Sequence, residues 1–178
     1  EWSTDRAHSG DYSVYLEALK ASSPDDANEV FVCHPKGLDK LACLDSVSFW
    51  YYCPSGGDPV TPHVDVWLDT NDPPNGVDDQ WLLGKPLQVT TFDQWVNVPL
   101  SELHWFEAMG GKDYGSGSEG LAEAKVDYGD AAVLAIGVEA GSHAFWAIGR
   151  GSDQEFYIDD IEMNGVIYDL EWDPALEV

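Results

Sequence analysis

The run Val47-Ser48-Phe49-Trp50-Tyr51-Tyr52-Cys53 constrains this chain more than any other stretch. It is rich in β-branched and aromatic residues. Val47, Phe49 and Tyr51 fall on one face, and Ser48, Trp50 and Tyr52 on the other. A pleated strand sends successive side chains to opposite faces, so this run is a strand with one face for a core. Similar runs recur at 12–16, 30–33, 64–69, 82–89, 95–100, 133–138, 144–148, 156–163 and 166–170. Gly, Pro, Asn and Asp punctuate them, and Asn164-Gly165 has the composition of a two-residue hairpin turn. Helix is expected only around Leu121-Ala122-Glu123-Ala124, with Ser118 as its cap. Residues 101–127 otherwise read as one long irregular stretch, of the kind that is a functional or partner-facing loop and less often disorder. Nine or ten short strands separated by turns predict an all-β fold: a single jelly-roll β-sandwich over residues 1–178 with long loops and at most one short helix.

Charge narrows the function. The chain carries 33 acidic and 8 basic residues, a net charge of −25. Such a surface repels nucleic acid and anionic lipid, and suits divalent cations, high salt or neutral partners. A halophilic source and a calcium-rich extracellular setting both explain it. At 44% hydrophobic residues the chain is globular, and no apolar run reaches membrane-spanning length, so no membrane insertion is expected. With neither an initiator Met nor a signal peptide, it reads as a processed product or an excised domain.

The acid is concentrated in residues 63–81. Val64, Val66 and Leu68 alternate with Asp65, Trp67 and Asp69. The chain then turns through Asn71, Asp72, Pro73, Pro74, Asn75 and Gly76 to Asp78 and Asp79. Asp69, Asn71, Asp72, Asn75, Asp78 and Asp79 place six oxygen-bearing side chains within eleven residues, with no Lys or Arg among them. Crowded carboxylates repel one another, and Ca²⁺ accepts six to eight such oxygens. These six are the candidate metal ligands, although the spacing lacks the closing Glu of an EF-hand. The alternative is a solvated acidic turn.

Cys33, Cys43 and Cys53 are spaced by ten, unlike a zinc site. Outside the cell they predict one disulfide and one odd thiol, with the pairing open. In the 156–163 strand, Phe156 and Ile158 share a face that Ile161 and Met163 continue one residue late. The extra residue predicts a β-bulge near Asp159-Asp160.

Two separated segments carry a resemblance. Glu1 and Trp2 followed by Ala7-His8-Ser9-Gly10-Asp11-Tyr12-Ser13, together with Tyr157-Ile158-Asp159-Asp160-Ile161, resemble the carbohydrate-binding modules of the galactose-binding-like jelly-roll group. In that group the two segments bracket a structural calcium. The resemblance implies that Glu1 and Asp159 or Asp160 supply carboxylates, and that the His8–Asp11 turn supplies carbonyl oxygens. It covers about thirty residues at the two ends. In size, acidity, expected fold and calcium, the chain is also similar to the calcium-dependent subunits of archaeal extracellular tubules called cannulae, which join by strand donation. The segment 169–178, with Leu170 and Trp172 and then Leu176 and Val178 alternating, has the pattern of a strand that could add to a neighbour's sheet.

Eight Trp and eight Tyr are many for this length. Trp50, Tyr52, Trp67, Trp81 and Trp95 could stack on sugar rings, and the three on the non-core parity of their strands, Trp50, Tyr52 and Trp67, are the candidate sugar-stacking residues; core or interface packing is the plainer role. Five scattered histidines with no H-E-x-x-H pair, and no G-x-S-x-G elbow, argue against catalysis. The sequence therefore points to a non-enzymatic, calcium-binding structural subunit of a cell-surface tubule, filament or layer that self-assembles with copies of itself. The alternative is a carbohydrate-binding module of a secreted polysaccharide-active protein.

Overall fold

The structure is a computed structural model that describes residues 2–18, 28–55, 62–86, 91–108, 110–140 and 154–170. The expected strand at 144–148, Glu1, and the part of the C-terminal segment from 171 onward lie outside the described residues. Two antiparallel sheets pack face to face as a β-sandwich, an arrangement consistent with a jelly roll.

The first sheet runs in the order β1 (Trp2–Ser3), β2 (Ser13–Ala18), β11 (Gln154–Met163), β4 (Val47–Tyr52), β7 (Trp95–Pro99), and β12 (Val166–Tyr168) also pairs with β11. The second runs β3 (Asn28–Cys33), β10 (Ala132–Ala140), β5 (His63–Asp69), β6 (Gln80–Pro86), β8 (Leu103–Glu107), β9 (Asp113–Ser116). The alternation read from sequence sets the faces. Val47, Phe49 and Tyr51 from β4 meet Val64, Val66 and Leu68 from β5 in one core, with Phe156, Ile158, Ile136 and Val138 beside them. At about 25 cal/mol per Å² of apolar surface removed from water, this shared core is the main stabilising contribution. Trp105 is its largest fully buried side chain. Gly84 makes room for it, since a Cβ there would lie 3.1 Å from the indole.

Residues 101–127 are more ordered than their composition suggests. They hold β8, β9 and a 12-residue helix α1 (Gly117–Tyr128), whose N-cap position is Ser116 and not Ser118. Alternate inward residues Leu103 and Trp105 make β8 a strand, and Leu121 and Ala124 bury the helix. Tertiary packing overrides a glycine-rich sequence with little local preference.

The bulge falls where the phase slip places it. Asp159 pairs with Trp50, but Glu162 pairs with Ser48, so β11 carries one extra residue, and Asp160 adopts φ +46°. On the opposite edge of β11, β2 pairs up to Ile158 and β12 takes over from Ile161. Asn164 and Gly165 both have positive φ (+50° and +78°), as a two-residue hairpin demands.

Candidate cation sites

The acidic turn joins β5 to β6, and its carboxylates divide into two kinds. Asp69, buried at its base, accepts hydrogen bonds from Asn71 N (3.0 Å), Asn71 Nδ2 (2.8 Å), Asn75 N (2.6 Å) and Gly76 N (2.6 Å). Burial acts to raise its pKa, but these bonds outweigh burial and hold it below the ordinary value. Asp79 accepts from Thr70 N (2.9 Å), Thr70 Oγ1 (3.0 Å) and Asn71 Nδ2 (3.0 Å). Asn75 Oδ1 accepts from Val77 N at 2.9 Å. These side chains hold the turn's own backbone. Asp72 is exposed, and Asp78 accepts only a 3.2 Å bond from Trp81 Nε1 among the described contacts. Beside the turn lies a groove of about 420 Å³, lined by Asn71, Asp72, Asp127, Asp130 and Lys40. Lys40 Nζ donates to Asp130 at 2.8 Å and Lys112 Nζ to Asp127, so Asp72 is the groove carboxylate with no ion pair among the described residues.

The two segments that carry the family resemblance do meet. Asp159 Oδ2 accepts the backbone N–H groups of His8 (2.9 Å) and Ser9 (3.1 Å), and its Oδ1 accepts that of Asp160 (2.8 Å). Asp160 meets His8 Nδ1 at 2.7 Å and Ser9 Oγ at 2.8 Å. Donors of the turn thus face the carboxylates directly. Burial raises the pKa of Asp159, and the two turn N–H groups only partly oppose it.

The three sugar-stacking candidates lie on opposite outer faces. Trp50 and Tyr52 belong to the first sheet and Trp67 to the second. His8 stacks on Trp50 at 3.8 Å and 17°, and the Arg6 guanidinium lies 4.1 Å over Tyr52, so the N-terminal segment covers that platform. Trp67 packs at 4.8 Å against Trp81 and edge-on at 5.5 Å to Phe31, which is 39% exposed. All three cysteines are free thiols, with Cys33 and Cys43 exposed and Cys53 buried. The core around Cys53 pushes its pKa up to about 11, chiefly by burial.

One group escaped the sequence reading. On β5, His63 and Asp65 point to the outer face with Trp67. The β5–β10 register places Glu139 opposite His63 and Gly137 opposite Asp65. His63 Nε2 lies 3.4 Å from both Asp65 Oδ1 and Glu139 Oε2, and one donor atom from each residue falls within 4.8 Å of the others. All three are buried. Among the described residues, this is the one set of three His, Cys or acidic side chains close enough to share an ion. The His-x-Asp spacing was visible in the sequence, but its partner lies on a strand more than seventy residues away.

A second chain of contacts runs along the β8–β9 hairpin. His104 Nδ1 meets Ser116 Oγ at 2.7 Å, and His104 Nε2 meets Asp113 at 2.7 Å. The residue types are those of a hydrolase triad, but the Asp113 side chain is 61% exposed, so water is not excluded. The chain fastens an edge strand. No known family matches the sequence, and no curated protein is similar to it.

Proposed function

We propose that this protein is a non-enzymatic, calcium-stabilised β-sandwich that serves outside the cell as a structural subunit and assembles with copies of itself. The observation that carries this reading is the acidic turn beside its groove. Asp69 and Asp79 fix the loop from within, and Asp72 stands exposed in the groove beside Asp127 and Asp130. Ca²⁺ bound there would relieve repulsion within a chain of net charge −25, and bridging between chains would relieve it across a contact. Among the described residues β3 and β9 are the edges of the second sheet, where a strand could add, and the alternating 169–178 segment has the pattern to supply one.

Light scattering during a calcium titration, followed by chelator, tests the proposal. A reversible rise to very large mass supports it, and Asp72→Asn with Asp78→Asn should blunt the rise. A constant monomer mass in millimolar Ca²⁺ overturns it.

The second reading, a polysaccharide-binding module, is favoured by Phe31, Trp67 and Trp81 on the outer face of the second sheet. Sugar rings stack on such faces. Retardation on glycan affinity gels that is lost in Trp81→Ala would support that reading over assembly.

A further inference from the structure

The structure assigns a second cation site, separate from the acidic turn and different in kind. We infer that His63, Asp65 and Glu139 bind one divalent transition-metal ion of the Zn²⁺ type.

The argument starts from the strand ladder. Residues two apart on a strand share a face, so His63 and Asp65 project together from β5. Antiparallel pairing sets Glu139 of β10 directly opposite His63. Gly137, opposite Asp65, has no side chain, and Phe31 occupies the space its Cβ would fill, 2.6 Å away. The imidazole and the two carboxylates therefore converge, with Phe31 packed over Gly137 beside them.

His63 Nε2 makes no hydrogen bond among the described residues, although it is out of contact with water and the side chain is only 10% exposed. A buried ring nitrogen without a partner is uncommon and calls for a physical account. Its distance to both carboxylate oxygens, 3.4 Å, is longer than an N–H···O hydrogen bond. It does match the separation of two donors on a common ion. Bonds of about 2.0–2.1 Å at tetrahedral angles put neighbouring donors about 3.3–3.4 Å apart. Rigid strands from two directions hold the three groups, so the site is formed before any ion arrives.

The donor set selects the ion. Ca²⁺ and Mg²⁺ are hard cations that take oxygen ligands, and a three-residue set with an imidazole suits them poorly. Imidazole with carboxylate suits Zn²⁺ and its first-row neighbours. Three protein donors leave one position of a tetrahedral ion for water or an outside ligand.

The test uses the full chain, freed of metal by chelator and desalted, and titrated calorimetrically with Zn²⁺. One zinc per chain should bind, and millimolar Ca²⁺ should not displace it. His63→Gln should weaken binding by more than about tenfold, the loss that even an outer-shell change costs. His104→Gln, at a half-buried histidine on β8 outside this set, should leave it unchanged. X-ray absorption of the zinc-loaded wild type should show nitrogen and oxygen ligands with one imidazole. Absence of one-to-one binding, a sulfur-ligated zinc at Cys33 or Cys43, or unaltered affinity in His63→Gln would overturn the assignment. If His63→Gln fails to fold, the absorption spectrum of the wild type decides. Calcium-driven assembly should persist in His63→Gln, so failure of either site leaves the other testable.

Discussion

Replacing Asp159 by alanine should open the clasp that joins the N-terminal turn to the β11 bulge. The carboxylate accepts three backbone N–H groups, from His8 (2.9 Å), Ser9 (3.1 Å) and Asp160 (2.8 Å). Hydrogen bonds to a charged acceptor contribute about 1.5–3 kcal/mol each. Two corrections lower the sum. His8 and Ser9 are only half-buried, so their freed N–H groups regain water. Burial of the carboxylate is itself unfavourable, which is why its pKa is raised. The net loss for Asp159→Ala is then about 2–4 kcal/mol. For a chain of this size that is a fall of roughly 4–16 °C in melting temperature. Asp159→Asn keeps one oxygen for His8 and Ser9 and should fall less. Thermal melts by circular dichroism, with and without chelator, supply the assay. A change in the near-ultraviolet spectrum should accompany the melt, because His8 leaves its stack on Trp50. A melting point within about 2 °C of wild type would mean that these hydrogen bonds do not hold the clasp. A difference that disappears in chelator would show that a bound cation, and not the hydrogen bonds, holds the clasp.

Three further outcomes are expected. Asp69 has a lowered pKa in the fold against an ordinary 3.8, so the stability it supplies is present above that value and fades as pH falls through the folded pKa; melting temperatures of wild type and Asp69→Asn should converge in acid and separate at neutral pH. Gly120→Ala should lower the melting temperature, because an added Cβ overlaps the Gly115 carbonyl and crowds Trp105, forcing α1 off β9; an unchanged melt would count against that packing. A thiol reagent should titrate Cys33 and Cys43 in the native protein and Cys53 only after denaturation, and a single reactive thiol in the native state would contradict the exposed pair.

Period-2 alternation needs no partner to be seen, so it located β2, β4, β5, β7 and β11 and gave the core faces of β4, β5 and β11. The phase slip in 156–163 fixed the bulge for the same reason, and Asn164-Gly165 its turn. Across 101–127 local signals found the helix around Leu121–Ala124 but missed its full length and the strands β8 and β9. There the glycine-rich sequence has weak preference, and β8, β9 and α1 form because Leu103, Trp105, Leu121 and Ala124 find a core to enter.

The sites divide along the same line. Reading along the chain yields the inventory: the excess of carboxylates, their concentration in one turn, a His-Ser-Gly turn near the start and a double Asp near the end, which the family resemblance links. How each oxygen is used depends on the folded arrangement. It turned Asp69 and Asp79 onto backbone N–H groups, put Trp50 and Tyr52 on the face opposite Trp67, and brought Glu139 across the sheet to His63 and Asp65. Composition and periodicity are properties of neighbours along the chain. Convergence of donors is a property of strand order and register, which are settled by the packing of the whole sandwich.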